Sequence, residues 1–423
     1  MWKQTTLLIV GGLSLAVSIR INAAVPPTAS ELGLMMGAPP TADKLVTAEN
    51  FVIPPYNRWS FQHLRELFPT RAVPASHSPW ILPSKAIDFA DVVVDFDEGR
   101  SMTVGTWLAS AYTDGFIVLD RGTVVHEQYE NSQTPSTQHL MFSVTKSFTG
   151  AMILQLMEQG AIDGTKTVAS YVPELSQTAF GDATVQQVMD MTNSIAYDET
   201  YDDPNSDIAN FLTSMYLGGE GLYSHLQSLT SKQLGFEHGE AFHYVTPDPE
   251  VLGWIIRRIE GQTLADVIYQ RLWSKLGTEF EAHYWVDPTG VEMAGGGLSM
   301  TLRDAARFGQ MILDDGQANG EQVLSADIAQ RIKTPRNQAT FNRYYQDAWY
   351  GSVAQGYHDQ WWSYAGVDAV AALGVHGQFI YINSEHDVVI VKQSSDPDAE
   401  NDRVDSETPM VMHAIAEFLG TQR

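Results

Sequence analysis

Ser143 and Lys146 are the residues of this sequence whose types and spacing best suit covalent catalysis. They stand in Ser143-Val144-Thr145-Lys146, at the point where apolar residues begin to recur every four positions until Gly160. This pattern predicts a helix over 144–160 that begins just after the serine. Residues three apart project on the same side of a helix. The segment therefore supplies a nucleophile, an amine that can take its proton, and a helix amino end that favours negative charge.

The Ser-x-x-Lys pattern alone also fits a helix cap followed by a solvated lysine. The chain contains nine lysines, and only Lys146 has a serine three positions earlier. A lysine acts as a base only where burial or a cationic neighbour lowers its pKa. Because this pair opens a strongly apolar helix, the sequence favours catalysis over a surface cap.

Predicted strands at both ends of this region, with helices between them, frame the pair. Runs of β-branched residues flank turn-forming residues at 115–126 and again at 378–392, and both patterns predict β-hairpins. Helical spacing covers 144–160, 184–191, 250–259, 263–276, 301–313 and 409–420. This order predicts an α/β (α+β) fold, in which an antiparallel sheet built from both chain ends is flanked by helices. A mainly helical lobe at about 160–340 is inserted.

The residues before the first predicted hairpin have other predicted roles. Residues 1–24 have a basic start, an apolar stretch and a small-residue end, which predicts a secretory signal peptide. Arg20 closes the apolar stretch before the roughly 20 residues that a membrane span needs. The expected product is periplasmic or extracellular, with no stable membrane span after signal cleavage. Residues 25–110 are rich in Pro and Trp and are predicted as an irregular lead-in.

The composition excludes several function classes. The 25 Lys and Arg residues against 51 Asp and Glu residues give a net charge of −26, which argues against binding to nucleic acid. The absence of Cys removes thiol nucleophiles, disulfides and thiolate metal centres. Neither His-Glu-x-x-His nor Gly-x-Ser-x-Gly occurs, and no metal or other cofactor is expected. The acidity fits a soluble secreted protein, and salt adaptation is the alternative.

These motifs resemble those of the serine β-lactamase and penicillin-binding-protein superfamily, in which Ser-x-x-Lys opens the helix under the cleft. The resemblance covers roughly 110–420 and includes the Gly-rich turn and helix at 295–309. It implies a serine hydrolase domain at 111–423. The superfamily's Tyr-x-Asn element corresponds to Tyr244-Val245-Thr246, where Thr replaces Asn. This implies that Tyr244 shares the acid/base work with Lys146 and that Thr246 contacts the substrate.

The superfamily's third element, Lys-Thr-Gly on a strand beside the cleft, corresponds here to residues 372–378, which contain no lysine. With Gly374 on the family glycine, the N–H of Val375 joins that of Ser143 as the oxyanion hole. A register two positions later places His376-Gly377 there instead. His376 then contacts substrate or tunes Tyr244. A structural histidine at a strand start is the third possibility.

Within the superfamily, the sequence is most similar to 6-aminohexanoate-dimer hydrolase and its relatives, with β-lactamase-like esterases next. The likeness lies in the 143–148 element, the loop at 197–203, the Trp361-Trp362 pair and the strand at 374–378. In that group a loop tyrosine reaches the substrate nitrogen and a tryptophan lines the pocket. This implies substrate-binding roles for Tyr201 and Trp361. The other interpretation of each is an aromatic residue in a packed loop.

The resemblance implies a secreted serine hydrolase that cleaves small linear amides or esters through an acyl-enzyme on Ser143. The expected partner is the small-molecule substrate. The sequence leaves the oligomeric state open, and a homodimer is one of the assemblies that it allows. A β-lactamase fits less well, because Thr246 and the absent Lys-Thr-Gly lysine remove groups that hold a β-lactam. A D-amino-acid carboxypeptidase is a further alternative. A catalytically silent peptidoglycan-binding protein is the alternative from another functional class.

Overall fold

The computed structural model of this chain describes residues 24–96, 99–216, 219–233, 235–344, 354–364 and 366–423. All but the last residue of the predicted signal peptide lies outside these ranges. Within them, no helix combines the length and the apolar composition that crossing a membrane requires.

The described chain contains a run of helices over residues 168–268 and a run of strands over residues 356–394. The helices are α1 (Asn57–Ser60), α2 (Leu64–Leu67), α3 (Val104–Ser110), α4 (Val144–Glu158), α5 (Val168–Tyr171), α6 (Val185–Met189), α7 (Asp207–Tyr216), α8 (Leu222–Ser228), α9 (Pro247–Glu260), α10 (Leu264–Ile268), α11 (Leu302–Leu313), α12 (Ala326–Lys333), α13 (Gln338–Tyr344) and α14 (Asp402–Thr421). The strands are β1 (Thr70–Val73), β2 (Val93–Asp95), β3 (Ser101–Thr103), β4 (Thr113–Asp120), β5 (Thr123–Tyr129), β6 (His139–Leu140), β7 (Ala282–Trp285), β8 (Leu298–Met300), β9 (Gln317–Ala318), β10 (Glu321–Gln322), β11 (Gly356–His358), β12 (Trp361–Tyr364), β13 (Ala369–Gly374), β14 (Gln378–Asn383) and β15 (Val388–Ser394).

The largest sheet has seven antiparallel strands in the order β11-β12-β13-β14-β15-β4-β5. Strands β4 and β5 come from one end of the domain and β11 to β15 from the other. Both predicted hairpins are confirmed, as β4–β5 and β14–β15. The predicted fold class is therefore confirmed: helices flank an antiparallel sheet that both chain ends build.

Both faces of this sheet are buried, because side chains alternate along each strand. In β4, Ile117 and Leu119 belong to the core that includes residues of α4 and α11. Phe116 and Val118, the residues that precede each of them, belong to a second core that includes residues of α3 and α14. Burial on both faces explains why the strand sequences are almost continuously apolar.

A smaller sheet of order β1-β7-β8-β6 lies beside α4, where the Leu298 N–H of β8 donates to the Thr145 hydroxyl at 3.0 Å. Its strands have two to four residues, too short to show the period-two alternation that predicts a strand. Strand β1 comes from the lead-in and pairs with β7. Several lead-in side chains, including Phe51, Phe61 and Phe68, belong to the core that contains α4.

Helix α4 follows the predicted pattern closely. It runs from Val144 to Glu158, and Gly160 stops it with a left-handed φ of 72°. The predicted helix at 263–276 is shorter, because a π-helical turn at Tyr269–Trp273 follows α10. Helix α14 begins seven residues before the predicted position. The side chain of Asn401 caps it, and Pro409 lies inside it.

Candidate active site

The structure brings Ser143 and Lys146 into direct contact at the start of α4. Lys146 Nζ lies 2.8 Å from Ser143 Oγ and donates to the Gly295 carbonyl, also at 2.8 Å. The Thr246 hydroxyl lies 3.4 Å from the same nitrogen. The side chain of Lys146 is only 1% exposed. The lysine is therefore a buried group in contact with the serine, and not a solvated surface residue.

Burial lowers the pKa of Lys146 to about 8, because desolvation disfavours the ammonium form. The buried carboxyl groups of Glu199, Glu250 and Asp248 act in the opposite direction and raise this pKa. The balance leaves an amine that changes protonation near neutral pH. Such a group can accept a proton from the serine and return it later.

Two buried glutamates, which the sequence analysis did not identify, shape this site. Glu199 accepts hydrogen bonds from the Thr246 N–H at 3.0 Å, from the Thr246 hydroxyl and from the Tyr201 hydroxyl at 2.8 Å. Glu250 accepts the N–H groups of Ala294 and Gly295 at 2.8 and 2.7 Å. Burial raises the pKa of Glu250 to about 7. A buried acid has no periodic signal in a sequence, so only contacts across the fold reveal these residues.

Tyr244 reaches the same site from the residues that precede α9. Its ring centroid lies 5.2 Å from Lys146 Nζ and 5.5 Å from the ring of Trp362, in a stacked arrangement. Tyr244 and Trp362 line, together with Ser143, the narrow part of the cavity. The structure thus assembles the three residues that the resemblance implied as catalytic. It also places Thr246 beside Lys146, with its hydroxyl donating to Glu199.

Trp361 is the predicted site residue that the structure does not bring to the cavity. It is fully buried in β12, and its ring stacks on Phe308 of α11 at 5.8 Å. Its neighbour Trp362 points to the opposite face of the sheet and lines the cavity. The tryptophan of this pair that lines the cavity is therefore Trp362, one residue after the predicted Trp361.

The strand β13 passes close to the backbone of the serine. A Cβ atom built on Gly374 would lie 2.4 Å from the Met141 carbonyl and 3.1 Å from the Ser143 nitrogen, so only glycine fits. Val375, the next residue, lines the cavity with Ser143. In the described part of the chain, neither N–H donates to a backbone carbonyl. This geometry favours the register in which Ser143 and Val375 supply the oxyanion hole.

His376 lines the wider part of the cavity, but its ring is held by the main chain. Nδ1 lies 2.8 Å from the Asp396 carbonyl, and burial lowers the pKa of the imidazole to about 4. Because a carbonyl can only accept, Nδ1 carries the proton of a neutral ring. The side chain is thus committed to the protein, which favours the structural interpretation of this histidine.

The wider part of the cavity has a volume of about 600 Å³ and is asymmetric in charge. Tyr201 lies at its junction with the narrow part. Four acidic residues line it, and among its described lining residues Lys146 is the only lysine or arginine. The acids are Asp202, Asp398, Glu400 and Asp402. The described ranges contain no group of three His, Asp or Glu side chains arranged to hold a metal ion.

Comparisons with known proteins agree with this architecture. Residues 108–408 match the family model described as Beta-lactamase. The chain is 32% identical over 362 residues to 6-aminohexanoate-dimer hydrolase of Paenarthrobacter ureafaciens. This alignment covers 84% of this chain and 89% of the relative. A solved Bacillus anthracis structure, assigned as a 6-aminohexanoate-dimer hydrolase, is 33% identical with a TM-score of 0.78 and covers 90% of this chain and 99% of its own.

A more distant structure shows the fold alone. The D-stereospecific amidohydrolase from a Streptomyces species is 16% identical with a TM-score of 0.53, covering 71% of this chain and 93% of its own. The resemblance inferred from the motifs is confirmed by the nearer relatives. The chain therefore belongs to the β-lactamase family, and it is a β-lactamase-like hydrolase similar to 6-aminohexanoate-dimer hydrolase.

Proposed function

We propose that this protein is an exported serine hydrolase that cleaves small linear amides or esters through an acyl-enzyme on Ser143. The observation that carries the proposal is the 2.8 Å contact between Lys146 Nζ and Ser143 Oγ inside a cavity. A buried amine with a lowered pKa is suited to activate a serine. Export is proposed from the signal-like residues 1–24 alone.

Acylation follows from these positions. The neutral amine of Lys146 takes the Ser143 proton while Oγ forms a bond to the substrate carbonyl carbon. The carbonyl oxygen gains negative charge and is held by the N–H groups of Ser143 and Val375. The bond to the leaving nitrogen or oxygen then breaks. Tyr244 protonates the leaving group and regains a proton from the Lys146 ammonium.

Deacylation reverses these roles with water as the nucleophile. A water molecule gives one proton to the amine of Lys146 as its oxygen attacks the ester carbonyl. The same two N–H groups hold the second oxyanion. The bond to Ser143 Oγ breaks, and the serine recovers its proton from Lys146. The products are a carboxylic acid and the amine or alcohol released earlier.

The charge of the cavity selects among substrates. Asp202, Asp398, Glu400 and Asp402 favour a substrate that carries a free ammonium group. No described lysine or arginine other than Lys146 lines the cavity to pair with a substrate carboxylate. β-Lactams and peptides cleaved next to a free carboxyl terminus both bring such a carboxylate close to the scissile bond, whereas the linear 6-aminohexanoate dimer holds its carboxylate at the far end of a flexible alkyl chain. We therefore rank a linear amine-bearing amide above a β-lactam or a D-amino-acid peptide.

A matched substrate panel tests this proposal. The linear 6-aminohexanoate dimer, its N-acetyl derivative, p-nitrophenyl acetate and nitrocefin are compared by kcat/KM. We expect the free dimer to exceed its acetylated form by about tenfold, which corresponds to ~1.4 kcal/mol of differential binding. Added salt should reduce that ratio, because it screens the carboxylates.

Equal rates for the two dimers would contradict the charge argument, and nitrocefin as the best substrate would support a β-lactamase. A folded protein inert to all four would support a silent binding protein.

Glu199 provides a second prediction, which concerns pH. Its negative charge raises the pKa of Lys146, so the Glu199→Gln variant should have a lower pKa at Lys146. Since the free amine is the base, the rise of kcat/KM with pH should move to lower pH. Tyr201→Phe is the matched control, because it removes one hydrogen bond to Glu199 and keeps the charge. If the rise of kcat/KM with pH stays at the same pH in Glu199→Gln, or moves equally in both variants, the electrostatic coupling between Glu199 and Lys146 would be contradicted.

A further inference from the structure

The lead-in segment Asn57–Phe61, formed by α1 and the residue after it, contacts both chain segments that carry the oxyanion N–H groups. It lies outside the residues 108–408 that the family model matches. Asn57 and Phe61 are 1% and 0% exposed. These contacts give a specific reason for the lead-in to pack at this place.

The first set of contacts reaches the Ser143 side. The Phe61 carbonyl accepts a hydrogen bond from the Leu140 N–H at 2.8 Å, three residues before the serine. The Phe61 ring packs edge-on against the ring of Phe142, with centroids 4.8 Å apart. Phe142 immediately precedes Ser143 and has a φ of 44°. The conformation of Phe142 sets the direction of the Ser143 N–H.

The second set reaches the Val375 side. The Phe61 ring lies 4.9 Å from the ring of His376, which follows Val375 and has a φ of 62°. Asn57 Nδ2 donates to the Asp396 carbonyl at 2.8 Å. The same carbonyl accepts the Nδ1 proton of His376, also at 2.8 Å. One short segment therefore holds the histidine through its ring and through a shared acceptor.

Left-handed backbone conformations explain why such bracing is needed. A residue other than glycine with positive φ costs about 1–2 kcal/mol and persists only where its surroundings hold it. Phe142 and His376 are both in this region, and their rings contact each other at 5.3 Å. Phe61 touches both. The ion pair of Arg58 with buried Asp114, at 2.9 Å, anchors the same helix to β4.

We propose that Phe61 and Asn57 are positioning residues of the oxyanion hole, holding Phe142 and His376 so that the N–H groups of Ser143 and Val375 converge. This inference rests on the proposed acyl-enzyme function. It predicts that the lead-in contributes to transition-state stabilisation as well as to stability. An oxyanion donor acts only when it points at the position that the charged oxygen will occupy.

The test compares Phe61→Leu with Phe51→Leu. Phe51 is an equally buried lead-in phenylalanine, 1% exposed, whose ring packs on Phe68 and Trp285 at 5.0 and 5.5 Å. Loss of one oxyanion donor costs about 10²–10³ in kcat, so misplacing the donors in Phe61→Leu should cost about tenfold. We expect that loss in the acylation rate with p-nitrophenyl acetate, with KM within about twofold. Phe51→Leu should lose a similar amount of thermal stability and keep its acylation rate.

Affinity for phenylboronic acid, which forms a tetrahedral adduct on the serine, provides a readout that general destabilisation does not change. It should weaken about tenfold in Phe61→Leu and in Asn57→Ala, and stay unchanged in Phe51→Leu, at a temperature where all variants are folded. Equal acylation and boronate affinity in Phe61→Leu and Phe51→Leu would overturn the positioning role. Failure of a fluorophosphonate to label Ser143 in the wild type would instead overturn the proposed function.

Discussion

Replacing Ser143 by Ala is expected to abolish acylation, with a loss in kcat of about 10⁵-fold or more. The reason is that Ser143 Oγ is the hydroxyl that Lys146 Nζ contacts at 2.8 Å, at the start of α4. A fluorophosphonate should add its mass to wild-type protein and leave Ser143→Ala unmodified. The burst of p-nitrophenol from p-nitrophenyl acetate should disappear in the same variant.

Ser147→Ala is the matched control for this experiment. Ser147 lies one turn later in α4, is 1% exposed, and donates to the Gln360 carbonyl at 2.7 Å. Its loss should destabilise the fold by about 1 kcal/mol and leave labelling intact. Equal labelling of Ser143→Ala and wild type would show that another residue is the nucleophile. An unlabelled wild type that is folded would remove the acyl-enzyme proposal.

The hairpin β4–β5 and helix α4 could be predicted from the sequence because the patterns that indicate them are local. β-Branched residues stand in β4 and β5 on both sides of Asp120-Arg121-Gly122, and the apolar spacing of α4 ends at a glycine. Such patterns depend on neighbours within about ten positions. Strands β6 and β8, with two and three residues, give no pattern of that length. They are defined by pairing with distant strands.

The site was less predictable, because it is assembled from distant segments. Lys146 and Thr246 are one hundred positions apart and meet at 3.4 Å, so only the family resemblance placed Thr246 there. The choice between Trp361 and Trp362 depended on which face of β12 points to the cavity. Both faces are buried, and composition could not decide between two adjacent tryptophans. Glu199 was missed because only its buried partners distinguish it from the other acids.

Replacing Lys146 by Met should lower the acylation rate by about 10³-fold, within the range of 10²–10⁴ for loss of a general base. The change removes an amine that is 1% exposed and keeps an unbranched side chain of similar length. The variant should stay folded, because replacing the amine also removes the free-energy cost of burying an ammonium group. Thermal unfolding monitored by circular dichroism checks this. An unchanged burst in a folded Lys146→Met variant would remove the lysine from the base role.

The pH profile identifies which amine carries the activity. Burial lowers the pKa of Lys146 to about 8, and the base is the neutral form. Wild-type kcat/KM should therefore rise with pH and reach half its plateau near pH 8. This rise, the ascending limb of the profile, should be absent in Lys146→Met.

Lys392 in β15 is the matched control, because it is also buried and burial lowers its pKa to about 8. Its Nζ contacts the Gly377 carbonyl at 3.2 Å, whereas Lys146 Nζ contacts the serine. Lys392→Met should keep the limb. If the limb disappears in Lys392→Met and persists in Lys146→Met, the titrating group is not the base at Ser143.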